Sequence, residues 1–340
     1  MRKIEIRAAF AAALLSVLFT SSSQAQYSRR NAIVEAVEKT SAAIVSVKVV
    51  KERGYGSSDV DGSGVVVDER GYMVTNYHVI RGGSRIAVVF TDKTRVEAQV
   101  FASIPSRDLA ILKLPAKRKY KALAFAPGTD LKVGETVIAV GNPYGFDHTV
   151  TTGIISALGR EIGVRGDDRL PNVIQHSAPI NPGNSGGPLL NINGEMIGIN
   201  LALREGAQNL SFALNAETVK DVLSRYLSSS RVAGVAHGLS CVDQATSECG
   251  NGRQKVVVEK VSDSGPAARA GLRSGDMIVQ VEGTPVENRF DLERVLWTRK
   301  AGESVKVLVV RDGKQTALSL QLASTETDRV TSVSNPADDE

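Results

Sequence analysis

Cysteine and histidine are scarce in this chain, whose 340 residues include two cysteines and four histidines. These residues do not cluster at the spacing of zinc ligands, so neither a metal site nor any other cofactor is predicted. Neither Cys241 nor Cys249 stands in a turn suited to a thiol nucleophile, which argues against a cysteine-dependent enzyme. In an oxidising compartment the two thiols either form a disulfide across their short loop or stay free, and the sequence is compatible with both.

A hydrophobic run long enough to cross a membrane is also missing. The apolar stretch at residues 8–20 has 13 residues, whereas a spanning helix needs about 20. It follows three basic residues and precedes a Ser-Gln-Ala cleavage sequence at 23–25. This arrangement is typical of a secretory signal peptide over residues 1–25, with an uncleaved anchor as the alternative. The chain is therefore predicted to be exported, to the periplasm or to the outside of the cell.

Charge of one sign is not in large excess. The net charge of +4 falls to +2 when residues 1–25, with three basic residues and one acidic residue, are removed. Nucleic-acid-binding domains carry a strongly basic surface, so no nucleic acid partner is predicted. The sequence has no glycine-rich phosphate-binding loop, so we do not expect ATP to drive its activity.

The chain does contain many short β-branched runs separated by Gly, Asp and Asn turns. Up to about residue 215 this pattern has almost no helical period, which favours an all-β barrel or sandwich. A helical pattern follows at 217–227, and the second half of the chain mixes strands with short helices and an Asp312-Gly313 hairpin signal. The predicted segments are a signal peptide at 1–25, a first domain at 26–227, a linker at 228–233, a second domain at 234–323 and a disordered tail at 324–340.

One loop places a serine between glycines, because residues 183–187 read Gly-Asn-Ser-Gly-Gly. Glycine permits the positive φ and the close approach of a sharp turn, so Ser185 is predicted to present its Oγ at the tip of one. The backbone N–H groups of Gly183 and Ser185 would then point at one spot, as the donors of an oxyanion hole do. The alternative is an incidental serine in a polar loop.

Two residues earlier in the chain could activate such a serine. A serine hydroxyl is a weak nucleophile until a base removes its proton, and a carboxylate orients that base. His78 follows a strand-like run, and Asp108 precedes another. Either residue alone is more often structural. Together with Ser185 they follow the order His, Asp, Ser, which is the order in chymotrypsin-like double barrels.

The sequence resembles the HtrA/Deg family of exported serine proteases that carry PDZ domains. The matching segments are residues 62–67, 75–80, 108–114, 133–143, 149–160 and 180–189, and in the second domain residues 265–272 and 275–276. The resemblance implies a mostly β chain, in which a chymotrypsin-like double β-barrel protease domain is followed by one α+β PDZ domain.

The resemblance also implies a role for each matched residue. Ser185 would attack the scissile carbonyl, His78 would act as general base and then general acid, and Asp108 would orient and stabilise His78. The Gly183 and Ser185 amides would bind the oxyanion. The implied function is ATP-independent endopeptidase activity on misfolded or unfolded exported proteins, in protein quality control. Family members are built from trimers, so a homo-oligomer, either a trimer or a multiple of one, is expected.

Substrate preference is expected to depend on the strand after the serine loop, where Ile199, Asn200 and Leu201 would form the wall of the S1 pocket. No acidic residue stands there to bind a basic side chain, so cleavage after small aliphatic residues is expected. The chain departs from the family just before the serine loop, where His176-Ser177-Ala178-Pro179 replaces a Thr-Asp-Ala-Ala-like run. His176 is interpreted as an ordinary loop residue or as a pH sensor.

In the PDZ domain, the family's carboxylate-binding loop corresponds to Leu239, Ser240, Cys241 and Val242. The resemblance implies that C-terminal peptides bind there by adding a strand, although the family's glycine is missing. Arg165 and Arg169 lie where the family keeps its sensor loop, and they either link PDZ occupancy to the oxyanion hole or lie in a solvated charged loop.

Two other functions stay open: a chaperone-like binding module, and a regulatory protease of one signalling substrate. The complete set of His78, Asp108 and Ser185 argues against the first. Whether unfolded proteins are cleaved broadly would distinguish the second from a quality-control protease.

Overall fold

The computed structural model describes residues 29–53, 56–126, 130–142, 149–165, 168–181, 183–201, 210–245 and 254–325. The predicted signal peptide and Cys249 lie outside these residues, and so does the predicted tail from residue 326 onward. No helix in the described part of the chain is long and apolar enough to span a membrane.

The strands between residues 44 and 113 form a closed six-stranded barrel in the order β1-β2-β3-β6-β5-β4. A helix, α1 (Ala32–Thr40), precedes it, and a single helical turn, α2 (Tyr77–Ile80), follows β3. The strands are β1 (Ile44–Arg53), β2 (Gly56–Asp68), β3 (Tyr72–Asn76), β4 (Arg85–Val89), β5 (Arg95–Ile104) and β6 (Leu109–Lys113).

A second closed barrel of six strands follows, in the order β10-β11-β12-β9-β8-β7. Helix α3 (Ala216–Tyr226) ends it and confirms the helical pattern predicted at 217–227. The strands are β7 (Thr136–Gly141), β8 (Thr149–Arg165), β9 (Asp168–His176), β10 (Pro188–Leu190), β11 (Met196–Leu201) and β12 (Ser211–Asn215).

The strands at the junction of the two barrels are buried on both faces. In β3, Met73 belongs to an apolar cluster made of first-barrel residues, whereas its neighbour Val74 belongs to a cluster shared with the second barrel. Successive side chains of a strand point to opposite faces, so each strand at the junction contributes to two cores. This arrangement explains why these strands read as continuous apolar runs. It also fixes the position of the loops that meet between the barrels.

The elements between residues 229 and 324 form a smaller domain in which a five-strand order, β14-β15-β16-β18-β19, is covered by short helices. Strand β17 pairs with β16, and β13 pairs with β20. The strands are β13 (Val235–Ala236), β14 (Leu239–Ala245), β15 (Gln254–Val261), β16 (Met277–Val281), β17 (Thr284–Pro285), β18 (Ser304–Arg311), β19 (Lys314–Gln321) and β20 (Ala323–Ser324). The helices are α4 (Ser229–Val232), α5 (Pro266–Arg269) and α6 (Arg289–Leu296).

The turn between β18 and β19 has the geometry predicted for it. Asp312 has φ 49° and Gly313 has φ 73°, the two positive values that a type I′ hairpin turn requires. The predicted linker at 228–233 contains helix α4, and the last strand, β20, extends to Ser324. A mostly β chain with two barrels followed by an α+β domain confirms the predicted fold class.

The small domain packs against the barrels through an aromatic seam, which comprises Tyr72, Phe290 and Trp297. The rings of Tyr72 and Trp297 have centroids 5.1 Å apart, and those of Phe290 and Trp297 lie 5.8 Å apart. The Trp297 indole N–H donates to the Leu227 carbonyl over 2.8 Å, and the Arg70 guanidinium lies 4.4 Å from the Trp297 ring centroid. Burial of aromatic surface and this hydrogen bond therefore hold the two domains together.

A charged network continues the contact beside the seam. The Arg289 side chain, on α6, donates to Asp221 of α3 over 2.6 Å and to Asp243 of β14 over 3.2 Å. Burial disfavours the charged form of Arg289, but the two carboxylates outweigh this effect and raise the pKa of its guanidinium above the ordinary value. One arginine thereby connects the last helix of the barrels to the edge strand of the small domain.

Candidate active site

His78 and Asp108 meet at one end of the first barrel. His78 lies in α2, directly after β3, and Asp108 lies in the left-handed region, at φ 47° and ψ 39°, directly before β6. Because β3 and β6 are antiparallel neighbours, the end of one strand and the start of the other meet at the same edge. The Tyr77 N–H and the Asn76 side-chain amide both donate to the Asp108 carbonyl, over 3.0 and 3.1 Å, and hold this corner in place.

The Asp108 carboxylate is the acceptor for His78. The His78 ring Nδ1 lies 2.7 Å from Asp108 Oδ2, and the His78 backbone N–H donates to Oδ1 over 2.9 Å. An ionised carboxylate only accepts, so Nδ1 must carry the ring proton in the neutral histidine, which leaves Nε2 with a lone pair. Asp108 is buried, whereas the His78 side chain is 43% exposed. The imidazole can therefore take a proton from a group in the open cleft.

The loop that carries Ser185 is a tight turn of the second barrel. Gly183 has φ 99° and Gly186 has φ 81°, which confirms the prediction that these glycines adopt conformations other residues avoid. The Asn184 N–H donates to the Asn181 carbonyl and the Gly187 N–H donates to the Asn184 carbonyl, over 3.0 and 3.1 Å. Ser185 itself is 4% exposed.

This loop is held against the first barrel. The Ser63 N–H, on β2, donates to the Ser185 carbonyl over 2.8 Å. A Cβ atom at Gly186 would clash with the Ser63 carbonyl oxygen and with Thr75 Oγ1, so only glycine fits here. Thr75 lies on β3, three residues before His78. The structure therefore brings the serine loop to the strand end that carries His78, at the junction of the barrels.

The three residues predicted to wall the S1 pocket lie on β11, which is paired with the segment after Ser185. Pro188 pairs with Ile199, the Asn200 N–H donates to the Gly187 carbonyl over 2.9 Å, and the Asn200 side-chain amide donates to the Pro188 carbonyl over 2.8 Å. Ile199 and Leu201 both belong to the core cluster shared by the barrels. Strand alternation then places Asn200 on the opposite face from these two side chains.

The predicted carboxylate loop, Leu239 to Val242, forms the first part of β14 at an edge of the small-domain sheet. The Leu239 N–H is already bonded, since it donates to His237 Nδ1 over 3.1 Å. The other ring nitrogen, Nε2, lies 3.2 Å from Glu293 Oε1 on α6. Burial raises the pKa of Glu293, but hydrogen bonds from His237 and Ser229 outweigh it and hold that pKa below its usual value.

Two further predictions concern Cys241 and the sensor-loop arginines. Cys241 carries a free thiol whose pKa is raised to about 12, mainly by burial, and the other cysteine of the chain, Cys249, lies outside the described residues. Arg169 is exposed and forms an ion pair with Glu161 across β8 and β9, over 3.3 Å. The Arg165 side chain is outside the described residues.

Among the residues that are described, no group of three or more His, Cys, Asp or Glu side chains is arranged to hold a metal ion.

His176 is not the loop residue that was expected. It is the last residue of β9, is fully buried in the second barrel, and pairs with Ser211 on one side and Ile155 on the other. Burial disfavours its charged form and lowers its pKa to about 4. The β-branched pattern before it extends the strand further than the polar Gln-His-Ser sequence suggested.

Comparison with known proteins agrees with both domains. The family model of the trypsin-like peptidase domain matches residues 62–199, and that of the PDZ domain matches residues 211–322. The chain is 39% identical over 278 residues to "Protease Do-like 1, chloroplastic" of Arabidopsis thaliana, covering 77% of this chain and 63% of that protein. It is 37% identical over 296 residues to a probable periplasmic serine endoprotease, DegP-like, of Brucella suis, covering 84% of this chain and 57% of the relative.

A solved structure extends the comparison to the whole arrangement. The HtrA-type protease AlgW with tripeptide is 30% identical, has a TM-score of 0.52, and is matched over 86% of this chain and 96% of its own. The chain spans about 57–63% of the length of the two curated relatives.

Proposed function

Since the chain belongs to the HtrA family of trypsin-like serine proteases with a PDZ domain, we propose that it is a serine endopeptidase. Ser185, His78 and Asp108 form its catalytic triad. The observation that carries this proposal is the pair of hydrogen bonds from His78 to Asp108, beside a serine loop that is anchored to the same edge of the barrel.

The first step is the attack of the Ser185 Oγ on the scissile carbonyl. His78 Nε2 takes the hydroxyl proton, and the Asp108 carboxylate stabilises the imidazolium that forms. The N–H groups of Gly183 and Ser185 stabilise the negative oxygen of the tetrahedral intermediate, and each such donor is typically worth about 3 kcal/mol. His78 then protonates the leaving amine. A water molecule, activated by the same histidine, hydrolyses the acyl-enzyme.

The substrates are misfolded or unfolded polypeptides, which can offer an extended backbone to the cleft between the barrels. Strand β11, in which Ile199, Asn200 and Leu201 are uncharged, forms the S1 wall of this cleft, so cleavage follows small aliphatic residues such as Val or Ala. Peptide-bond hydrolysis of an already unfolded chain needs no nucleotide, and the activity is independent of ATP.

The PDZ domain binds C-terminal peptides along β14, at Leu239, Ser240, Cys241 and Val242. A relative, AlgW, has been solved with a tripeptide, which is consistent with peptide recognition in this family. The enzyme acts in the periplasm, as the relatives named periplasmic endoproteases suggest, and it assembles as a homo-oligomer, a trimer or a multiple of one. Native mass spectrometry of the mature protein measures this assembly directly.

The test compares the mature enzyme with Ser185→Ala on a reduced, unfolded protein without nucleotide, with fragments identified by mass spectrometry. The proposal predicts fragments from the wild type alone, ending in Val or Ala at many sites. Cleavage by both enzymes would refute the serine mechanism, and dominant Arg or Lys ends would refute the S1 assignment. If the assay is repeated with several unfolded proteins and only one of them is cleaved, the result would favour a regulatory protease. No cleavage with or without added C-terminal peptides would favour a chaperone-like module.

A further inference from the structure

Ser63 is a fully buried residue of the first barrel whose side chain contacts the serine loop of the second. Its Oγ lies 2.6 Å from the Gly183 carbonyl oxygen and 2.8 Å from the Asn142 backbone nitrogen. The Asn142 N–H can only donate, so Ser63 Oγ accepts that bond and directs its own proton to Gly183. The hydroxyl therefore joins three segments: β2, the end of β7 and the serine loop.

The backbone of Ser63 strengthens the same junction. Its N–H donates to the Ser185 carbonyl over 2.8 Å, and its carbonyl accepts from Thr75 Oγ1 over 2.7 Å. Ser63 thus contacts the backbone carbonyls of both residues whose N–H groups form the proposed oxyanion hole. Of the two bonds to the serine loop, the one to Gly183 comes from the Ser63 side chain and the one to Ser185 comes from its backbone.

Gly183 needs such a contact because its backbone is weakly constrained. A glycine at φ 99° has many alternative conformations of similar energy, and a rotation of the Gly183 backbone would carry its N–H away from the oxyanion. The Gly183 carbonyl lies on the other side of the Cα atom, in the peptide unit shared with Asn184, so a bond to this carbonyl fixes one of the two peptide units that meet at Gly183. A buried carbonyl also requires a donor. A hydroxyl fixed by Asn142 on one side meets this requirement and selects one orientation of the loop.

We propose that Ser63 is a positioning residue: by fixing the Gly183–Asn184 peptide unit it restricts rotation of the Gly183 backbone, and so keeps the Gly183 N–H directed at the oxyanion. This inference rests on the proposed serine endopeptidase function and goes beyond it, since it gives a first-barrel side chain control over the second-barrel oxyanion hole. The effect concerns the transition state. Substrate binding in the ground state does not depend on it.

The chain offers a closely matched control in Ser46. This serine lies on β1 directly opposite Ser63 in the strand register, and it is also fully buried. Within the described part of the chain, its Oγ has no hydrogen-bond partner. Ser46→Ala and Ser63→Ala therefore remove the same atom at the same depth, but only the second removes a bond to the serine loop.

The experiment measures kcat and KM of wild type, Ser46→Ala and Ser63→Ala on one fluorogenic peptide taken from an observed cleavage site. It also measures the affinity of a peptide boronate, which forms a tetrahedral adduct with the serine. Removal of an oxyanion donor lowers kcat about 10²–10³-fold, so misplacing one is expected to lower it roughly 10–100-fold in Ser63→Ala. The KM should stay within about twofold, and boronate affinity should fall in parallel with kcat/KM. Ser46→Ala should match the wild type.

Circular dichroism at the assay temperature, compared with the thermal unfolding curve of each variant, gives the fraction of that variant that is folded in the assay. If Ser63→Ala does not fold, Ser63→Cys takes its place, because a thiol of nearly the same shape is a much weaker donor. Equal kcat for Ser63→Ala and Ser46→Ala, or a change in KM alone, would overturn the proposal. A wild type that cleaves nothing would refute the proposed function, whereas an active wild type with an unimpaired Ser63→Ala would refute only the positioning role.

Discussion

His78 gives two hydrogen bonds to one carboxylate, since its ring Nδ1 and its backbone N–H both contact Asp108, over 2.7 and 2.9 Å. The ring contact fixes which nitrogen is protonated. The backbone contact fixes the position of the carboxylate relative to α2. Each of these relationships can be tested by changing one atom of Asp108.

Asp108→Asn should preserve the fold and abolish most of the activity. The amide N–H₂ would donate to Nδ1, which would place the ring proton on Nε2 and leave His78 unable to take the Ser185 proton. The corresponding exchange in serine proteases with this triad lowers kcat by a factor on the order of 10⁴. The exposed carboxylate Asp92 provides the control, and Asp92→Asn should leave kcat unchanged. A kcat for Asp108→Asn within tenfold of the wild type would contradict the assigned role.

His176 should make the protein less stable in acid. Its pKa is lowered by burial from 6.5 to about 4, so the unfolded chain binds its proton more tightly than the folded one. The stability that neutral His176 provides is complete above pH 6.5 and is lost as the pH falls towards 4, by roughly 3 kcal/mol. Urea unfolding at pH 7 and pH 4.5 measures this loss. In His176→Leu, the difference between the two pH values should be smaller by most of that amount; an unchanged difference would contradict the prediction.

Trp297 should contribute to the stability of both domains, because it lies between them. It is also the single tryptophan of the chain, so its fluorescence reports on this contact alone. Trp297→Phe keeps an aromatic ring in the seam but leaves the buried Leu227 carbonyl without its donor. We expect a loss of about 1–3 kcal/mol in the free energy of unfolding, measured by circular dichroism in urea. In the wild type, Trp297 fluorescence should shift to the red in the same transition. Two separate transitions, with the fluorescence change in only one, would show that the seam does not couple the domains.

His237 should compete with a peptide carboxylate for the Leu239 N–H. Under the proposed mode of PDZ binding, the ligand has to displace His237 Nδ1 from this amide. His237→Phe keeps a ring of similar size and removes the acceptor, so the affinity for C-terminal peptides should rise about fivefold, near 1 kcal/mol. Lys314→Ala, on the opposite edge strand of the sheet, is the control for fluorescence-anisotropy titrations. Weaker binding by His237→Phe would indicate that the ring belongs to the peptide site.

Local features of this fold were predictable from the sequence because they depend on a few neighbouring residues. The Asp312-Gly313 turn needs two positive φ values, and these two residue types supply them at low cost. The turn around Ser185 is predictable for the same reason. Helix α3 is recognised from the spacing of Val219, Val222 and Leu223, all buried on one face.

Contacts between distant segments were not predictable in this way. In the sequence Ser63 is only one residue of the matching segment 62–67, and its bond to Gly183 crosses 120 positions of the chain. Periodicity shows that a face is buried, but it does not say against what, so the packing of Trp297 on Tyr72 also needed the structure. The burial of His176 was misjudged because a polar side chain inside a barrel breaks the apolar pattern on which a strand prediction depends.

The most direct test of the account asks whether Ser185 is the activated nucleophile. The mature enzyme is treated with a fluorophosphonate, which modifies serines activated by an adjacent base, and the modified residue is located by mass spectrometry. The account predicts one adduct, on Ser185, formed at the rate at which proteolysis is lost, and no adduct in His78→Ala. An adduct on another serine, or full proteolytic activity with Ser185 modified, would contradict it.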